Sequence, residues 1–440
     1  MADDTTATDG FPKSRLTRLK ELSHIAQSGN SIGTKKIPGR NGGNKAVYRI
    51  PLSFLSYNPY NTRFLSEAKT LESRLGKLSD EDPEHVKYIE KFLWDWKVDK
   101  NKSTIDSLIA EGQLEPGVVT RDGIILSGNR RFRLLNEINR NKSQYSGPGK
   151  SLDGLEYFEA VIIDEELSKK EIVRYESFYQ YGTEEKVDYN PIEKYIAVND
   201  QKELGFDEDE IYKNFQALAK DKGRIKVWLE TFDLMNEYLH HIGEPGIFTA
   251  LTSSEEAFLN INANVKQLEN GRGATVRRMW NFDDMDIANF KMVAFDYIRS
   301  GMQTHSFRDL FKTFQNEEVW KSFKKNHDEI IRSESIDSFD DYRKNNSDLD
   351  ESEVSRKRSL DYKEKYENKL NKAFGNEITR QMVAKQDEEP YDLLKGILVK
   401  LEKFEDFVEH KGDLDSHADD CIDKLREIQS LSGRLKQRLD

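Results

Sequence analysis

The chain has 440 residues, a formal net charge of −12 at pH 7 and a single cysteine, Cys421. One cysteine excludes an intrachain disulfide and a cysteine-based zinc cluster. No apolar run reaches the about 20 residues that span a bilayer, and the first residues lack the regions of a signal peptide. We therefore expect a cytoplasmic protein of two or three domains. The acidic balance does not favour nonspecific nucleic-acid binding, so any DNA contact needs a local basic surface.

Residues 1–46 are predicted to form a flexible N-terminal arm. Within it, residues 14–27 have the spacing of one amphipathic helix. Residues 28–44 are rich in glycine, serine, asparagine and lysine, which is typical of a flexible basic linker. Two interpretations stay open, a disordered arm and an arm that contacts nucleic acid.

Residues 47–166 are predicted to form a small mixed α/β domain, because short strands alternate with helices. The strands are predicted at 47–55, 117–120, 124–126 and 156–164, and the helices at 65–78, 83–96 and 104–111. An Asp-Gly pair at 122–123 lies between two apolar runs and predicts a β-hairpin. A corner at 127–129 follows the hairpin. There Gly128 permits a sharp turn and the close approach of a ligand.

The next helix is predicted to begin at Arg130, with Ser127 or Asn129 as its cap. A helix N-terminus favours anions, and Arg130, Arg131 and Arg133 add positive charge suited to phosphate oxygens. The alternative is a surface helix whose arginines pair with nearby carboxylates. Three arginines in the first turn argue against this alternative, because a helix start normally prefers acids.

Four pieces of sequence, in order, resemble the ParB/sulfiredoxin-like superfamily. Residues 127–133 resemble its Gly-x-Arg-Arg-x-Arg box, and residues 49–63 resemble its opening strand and Asn-Pro-x-x-x-Arg turn. Residues 105–116 resemble the helix written Ser-Ile-x-x-x-Gly-x-x-x-Pro, and residues 188–193 resemble the Asp-Leu-Asn-Pro-Ile-Glu box. The resemblance implies an α+β fold, in which a small mixed-sheet ParB/sulfiredoxin-like domain precedes a large all-helical region. Residues 65–96 are then an insertion that reshapes the pocket, offers a partner surface or adds core.

The resemblance also implies that the protein binds a nucleoside triphosphate, CTP or ATP, with Mg²⁺. Gly128, Arg130 and Arg131 would hold the phosphates. The candidate nucleotide-binding residues are Thr120, Arg121, Ser127, Gly128, Asn129, Arg130, Arg131 and Arg133. Sulfiredoxin uses a cysteine where this chain has Asn129, so thiol chemistry is not expected.

The chain departs from the magnesium motif of the family, Glu-Asn-x-x-Arg. Strict spacing puts Gly182, Thr183 and Lys186 there, and an insertion puts Glu176 and Ser177 there instead. The asparagine is missing in either register. A hard cation on the phosphates needs a carboxylate. Glu176 is therefore the candidate metal ligand and catalytic residue, with Glu184 and Glu185 behind it.

Residues 167–324 are predicted to be helical, with a helix-turn-helix-like segment at 190–235. Ser168 and Glu171 predict a capping box, and Asn190, before Pro191, and Asp207 are predicted helix caps. The family resemblance implies DNA binding through that segment. The candidate DNA-binding residues are Lys220, Lys222, Arg224 and Lys226. Residues 216–222 look inserted, and Trp228 and Phe232 make the last helix more apolar than the family pattern. The alternative is a helical packing element.

Three further segments complete the prediction. Arg272, Arg277 and Arg278 lie near Trp280 and could stack on bases, but surface arginines over a buried ring are the favoured interpretation. Residues 325–389 are predicted to form a charged helix or linker. Residues 390–440 are predicted to form a helical pair and a possible dimerisation element, so a homodimer is expected. Its apolar stripes are Leu394, Ile397, Leu401, Phe404 and Val408, and Ile422, Leu425, Ile428, Leu431 and Leu435.

Three functions follow from these predictions. The first is a DNA-associated protein whose bound nucleotide controls DNA engagement, in segregation or in a defence or mobile-element system. The second is an enzyme of the ParB-like type, acting as a nuclease, an NTP hydrolase or an ATP/ADP-dependent phosphotransferase. The third is a protein-binding scaffold whose ParB-like domain has no ligand.

Overall fold

A mixed sheet followed by a long helical region makes this an α+β protein, as predicted. The computed structural model describes residues 12–37, 43–181, 190–270, 279–410 and 418–439. The chain divides into two units, Met1–Asn371 and Lys372–Asp440. In the described ranges no helix is both long enough and apolar enough to cross a bilayer.

The strands are β1 Gly33–Ile37, β2 Gly43–Pro51, β3 Gly117–Thr120, β4 Ile125–Ser127 and β5 Tyr157–Ile163. The helices of the first half are α1 Arg15–Gln27, α2 Leu65–Leu75, α3 Pro83–Asp95, α4 Val98–Glu111, α5 Asn129–Arg140, α6 Lys142–Tyr145 and α7 Lys169–Tyr181. The later helices are α8 Pro191–Glu203, α9 Glu208–Asn214, α10 Lys222–His241, α11 Glu255–Glu269, α12 Asp284–Arg299, α13 Phe307–Phe314, α14 Glu317–Arg332, α15 Phe339–Asn345, α16 Glu351–His410 and α17 Ala418–Leu439.

The sheet has the strand order β1-β2-β5-β3-β4 and is covered on both faces. The pair β3 and β5 is parallel, and the other pairs are antiparallel. Alternate residues of a strand point to opposite faces. Val118 and Val161 therefore face one core while Val119 and Ile162 face the other. Helices α1 to α5 supply the larger core, and α7 covers the smaller one.

The N-terminal segment is part of the domain, and the flexible linker predicted at 28–44 is wrong for its described part. Strand β1 pairs along β2, so the sheet edge satisfies the backbone of a polar segment. Helix α1 is anchored by two fully buried side chains, Leu22 and Arg18. The guanidinium of Arg18 lies 2.7 Å from the carboxylate of Asp80. The small and charged residues of this segment give no local sign that it pairs with distant residues.

Helix α7 begins the predicted helical region but packs on the sheet. Ser168 and Glu171 form the predicted capping box, because the Ser168 amide donates to Glu171 and the Glu171 amide donates to Ser168 Oγ. Ile172, Tyr175 and Tyr179 then pack against the smaller core. The sheet domain therefore extends beyond the predicted boundary at residue 166.

Helix α10 is the central helix of the region that follows. It packs against α8, α9, α11 and α12. Ile225, Trp228, Phe232, Met235 and Leu239 are all buried. These apolar residues return every three or four positions, which places them on the core-facing side of the helix. The helix order predicted for the helix-turn-helix-like segment is present, but one side of the last helix is buried in the core.

The segment predicted at 325–389 as a charged helix or linker contains the anchored start of α16. Arg358 lies 2.6 Å from the fully buried carboxylate of Glu244, an ion pair excluded from solvent. The Tyr362 hydroxyl donates to Asp296 at 3.1 Å. Charged and aromatic side chains thus fix this part of the helix, because buried charges must be paired.

The second unit comprises α16 beyond Asn371 and helix α17. Helix α16 runs unbroken through the boundary predicted at residue 390. Both helices leave apolar side chains 40–57% exposed: Leu394, Ile397, Leu398, Val399, Phe407, Val408, Ile422, Leu425, Ile428, Leu431 and Leu435.

Glu193, near the start of α8, caps α2 from a distant part of the chain. Its Oε2 accepts from the Ser66 amide at 3.0 Å, and its Oε1 lies 2.5 Å from the Ser66 hydroxyl. That hydroxyl also lies 2.8 Å from the carboxylate of Glu67. A hydroxyl has one proton to donate, so a proton on Glu193 or on Glu67 is needed to satisfy both contacts. Burial and the charge of Glu67 raise the pKa of Glu193 to about 8.

We predict that Glu193→Gln reduces the pH dependence of stability. The folded carboxyl keeps its proton to about pH 8, whereas the unfolded one ionises near 4.5. Because the folded state binds more protons between these values, its stability falls as pH rises through them. In urea unfolding, the wild type should lose on the order of 2 kcal/mol more than the variant between about pH 5 and about pH 8. Glu203→Gln, at an exposed position of α8, should keep the wild-type slope. Equal slopes for the wild type and Glu193→Gln would contradict the prediction.

Candidate functional site

The candidate site begins at the N-terminus of α5. Gly128 occupies the cap position at a φ of 106°, and no side chain caps the helix. The prediction that Ser127 or Asn129 caps it is therefore wrong. Asn129 is the first helical residue and is buried. Its side chain instead donates to the Ile125 carbonyl at 2.8 Å. The first N–H groups of α5 thus lack a protein side-chain cap, which suits an anion.

Asn58 joins this helix start to α7. Its backbone amide donates to Oδ1 of Asn129 at 3.0 Å. Its side-chain amide donates to Oε2 of Glu176 at 3.2 Å. Its Oδ1 accepts from the Tyr60 amide at 3.0 Å, which closes the turn around Pro59. Asn58 is fully buried and uses both ends of its side chain.

Glu176 is engaged through both carboxylate oxygens. The amide and hydroxyl of Thr62 donate to Oε1 at 3.3 and 3.5 Å, and Asn58 donates to Oε2. The residue is only 4% exposed. Burial raises the pKa of Glu176 to about 7, against the opposing charge of Arg63. A carboxyl in this environment organises the turn that precedes α2.

Arg63 extends from that turn. Its Nε donates to Gln180 at 3.0 Å, and its guanidinium lies 4.8 Å from the ring centre of Trp96. Burial lowers the pKa of Arg63, and the charge of Glu176 opposes this shift. Trp96 follows α3, so the predicted insertion at 65–96 contributes a wall of the site as well as core.

Arg130 and Arg131 lie close enough to Arg63 for its charge to act on both. Burial lowers the pKa of Arg130, and the charge of Arg63 lowers it further. Burial also lowers the pKa of Arg131, where Glu115 opposes the shift and Arg63 adds to it. The Arg130 guanidinium donates to Asn101 at 3.1 Å, whereas its Nε is buried without a partner. We call Arg63, Arg130 and Arg131 the arginine cluster.

Three of the predicted nucleotide ligands, Thr120, Arg121 and Arg133, lie away from this cluster. Arg133 turns toward α3, where it lies 3.0 Å from the carboxylate of Glu137 and 5.0 Å from the ring centre of Trp94. For Arg133 the alternative of a surface ion pair is therefore the better description.

Thr120 and Arg121 lie at the turn of the hairpin. The Thr120 hydroxyl donates to Asp122 at 2.5 Å, and Arg121 pairs with Glu166 at 2.9 Å. Both line a cleft of about 350 Å³ that also contains Tyr60. Ser127 is half-buried beside Gly128. The structure thus brings Gly128, Asn129, Arg130 and Arg131 together and leaves Thr120 and Arg121 in a separate cleft.

Of the predicted metal ligands, only Glu176 lies within the described residues. No group of three or more histidine, cysteine, aspartate or glutamate side chains there could hold a metal ion. Glu176 stands among hydrogen-bond donors rather than beside other carboxylates. Gly182, Thr183, Glu184, Glu185 and Lys186 lie outside the described residues.

The four predicted DNA-binding residues lie together and exposed around the start of α10. Lys222 pairs with Asp209 at 2.5 Å, and Arg224 lies 6.0 Å from the ring centre of Trp228. The helix begins two residues before Arg224, because Asp221 caps it. Lys220 and Lys226 complete the set, which we call the α10 basic patch.

Arg272, Arg277 and Arg278, the second predicted group of basic residues, lie outside the described residues. Trp280, which is described, donates to the Phe314 carbonyl at 2.8 Å and packs against its ring. Its ring therefore belongs to the helical core.

Comparison with protein-family models, with curated proteins and with solved structures found no match in any of the three.

We predict that Gly128→Ala destabilises the site corner. A Cβ there would lie 2.8 Å from the Phe158 ring, at a φ that L-residues rarely adopt. Strain and clash together should lower the free energy of unfolding by about 3 kcal/mol. Gly205→Ala is the control, since φ is +77° but no atom lies within 4 Å. It should cost about 1 kcal/mol. Equal losses in denaturant unfolding would show that the contact with Phe158 does not constrain Gly128.

Proposed function

We propose that the protein binds a nucleoside triphosphate, CTP or ATP, at the arginine cluster and that the bound nucleotide controls its engagement with DNA. The arginine cluster carries the proposal. Three partly buried guanidiniums lie at the uncapped start of α5, and Arg63 lowers the pKa of the other two. Like charges held together in this way are unfavourable for the free protein. A bound polyanion removes that cost.

The chemistry of the cluster suits a polyphosphate. Guanidiniums donate paired N–H groups to phosphate oxygens, and a helix start adds backbone N–H groups and the positive end of its dipole. The Asn-Pro turn and the glycine corner belong to the sequence pieces that resemble the ParB/sulfiredoxin-like superfamily. That resemblance is the reason to propose CTP or ATP rather than another polyanion.

DNA engagement is proposed through the α10 basic patch. Its lysines and arginine are exposed while the remainder of α10 is largely core. Contact with DNA would therefore involve the first turn of the helix and the residues before it. Such a patch binds the phosphate backbone and carries little sequence information by itself.

A homodimer is part of the proposal. The apolar residues at 394, 397, 401, 404 and 408 follow the three-and-four spacing of a coiled-coil seam, and those of α17 repeat at similar spacing. Most of these side chains are partly exposed. Covering them with a second copy would remove apolar surface from water.

We predict that Arg130→Ala/Arg131→Ala abolishes tight nucleotide binding. Removal of two charge-assisted contacts should weaken affinity by at least about 100-fold, measured by calorimetric titration with CTP and with ATP. Arg133→Ala is the matched control on the same helix, because Arg133 pairs with Glu137 away from the cluster. Its affinity should stay within about threefold of wild type. If the double variant binds like wild type, or if Arg133→Ala loses as much, the proposed site is wrong.

We predict that Lys220→Ala/Lys226→Ala weakens duplex-DNA binding in the presence of nucleotide. Each lost phosphate contact should reduce the slope of log affinity against log salt by about 0.9, so the pair should reduce it by about 2. Fluorescence anisotropy at several salt concentrations measures both quantities. Lys321→Ala/Lys325→Ala removes equal charge from exposed positions of α14. The same change in slope for both pairs would indicate a net-charge effect and contradict a specific patch.

A further inference from the structure

The ParB/sulfiredoxin-like resemblance implies that Mg²⁺ accompanies the nucleotide, and the donor set around the arginine cluster can be tested for that ion. Mg²⁺ in proteins is held by one or two carboxylates, waters and substrate phosphates. The described carboxylates that act on the cluster include Glu176, Glu115 and Asp99. Glu115 is 70% exposed with its carboxylate 4.0 Å from Arg131. The buried one, Glu176, is the only candidate that the sequence motif provides among the described residues.

Glu176 does not fit the role of a metal ligand. Oε1 already accepts from both the amide and the hydroxyl of Thr62, so coordination through it would strand a buried donor, and Oε2 accepts from the buried side-chain amide of Asn58. The positive charge that acts most strongly on it is that of Arg63, which occupies its neighbourhood in place of a cation. Glu176 holds the turn from Asn58 to Thr62, and that turn ends at Arg63.

Two contacts hold the Arg63 side chain in place. Gln180 accepts from its Nε at 3.0 Å, and Trp96 lies under its guanidinium at 4.8 Å. These two contacts leave the remaining N–H groups of the fork for other acceptors, and Arg63 acts electrostatically on Arg130 and Arg131. A triphosphate placed at the start of α5 would therefore meet a fixed third positive charge.

We propose that the arginine cluster binds the polyphosphate without a divalent cation, that Arg63 supplies the charge Mg²⁺ would otherwise supply, and that Glu176 is a positioning residue. This inference rests on the proposed nucleotide site. It concerns how that site neutralises phosphate.

Calorimetric titration with CTP, ATP and inorganic tripolyphosphate, each in Mg²⁺ and in EDTA, tests the inference on the full chain. At least one ligand should bind the wild type with affinities that agree within about threefold in the two buffers. Binding in Mg²⁺ that EDTA abolishes would overturn the inference while leaving the nucleotide site intact. Glu184 and Glu185 would then be the candidate metal ligands. No binding in either buffer would overturn the proposed function and this inference together.

Two variants separate positioning from ligation. Glu176→Gln offers a single acceptor oxygen for donors from Asn58 and Thr62, so affinity should fall about tenfold in both buffers alike. A loss confined to the Mg²⁺ buffer would identify Glu176 as a metal ligand.

Arg63→Lys keeps the positive charge and loses the forked N–H groups of the guanidinium, so it should retain part of the affinity that Arg63→Ala loses. The assignment of Arg63 would be wrong if Mg²⁺ restored Arg63→Ala to wild-type affinity and EDTA weakened binding by the wild type itself. Thermal unfolding of each variant separates weakened binding from a failure to fold.

Discussion

The hydrogen bonds of Asn58 hold the candidate site together. One residue connects the start of α5, through Asn129, to the middle of α7, through Glu176. The turn that begins at Asn58 reaches Thr62 four residues later, and Thr62 donates to the same Glu176. A buried carboxyl needs such donors, because an unpaired one would cost several kcal/mol. The requirement to satisfy Glu176 therefore fixes the distance between two helices on opposite faces of the sheet.

That constraint explains why a chain with a net charge of −12 can keep a local positive site. Arg63 follows Thr62 directly, so the turn that satisfies Glu176 also places Arg63 near Arg130 and Arg131. The repulsion among them is offset in part because Glu176 acts on Arg63 and Glu115 acts on Arg131. A phosphate would exchange this repulsion for charge-assisted hydrogen bonds.

Local signals in the sequence predicted the parts of the fold that local chemistry controls. The capping box at Ser168, the Asn190-Pro191 helix start and the Asp207 cap all lie where expected. Each depends on side chains within three residues of the backbone they cap. The Asp-Gly hairpin was predicted for the same reason, and its strands match to within one residue.

Long-range contacts escaped prediction. Strand β1 was missed because only Ile37 is buried in it, and its pairing partner comes from β2. The Arg133 side chain was placed with the phosphate ligands although Glu137, four residues later on the same helix, was a partner that helix spacing allows, whereas its long-range contact with Trp94 had no signal in the sequence. Arg63 is the last residue of the Asn-Pro-x-x-x-Arg turn found in the sequence, although nothing in the sequence indicated its contacts with Gln180 and Trp96.

The cap that Glu193 places on α2 gives the site a route to the helical region. Ser66, which Glu193 holds, lies three residues after Arg63. Glu193 belongs to α8, and α8 packs along α10, whose first turn carries Lys222 of the α10 basic patch. A ligand that draws Arg63 toward α5 would thus pull on the start of α2 and, through a buried carboxyl, on α8. Contiguity of this kind permits coupling between sites, and coupling requires that the Ser66–Glu193 contact exist in two arrangements whose balance the ligand changes. A proton held by the Glu67–Glu193 pair can lie on either carboxyl while the Ser66 hydroxyl donates to the other, which provides a physical basis for two such arrangements.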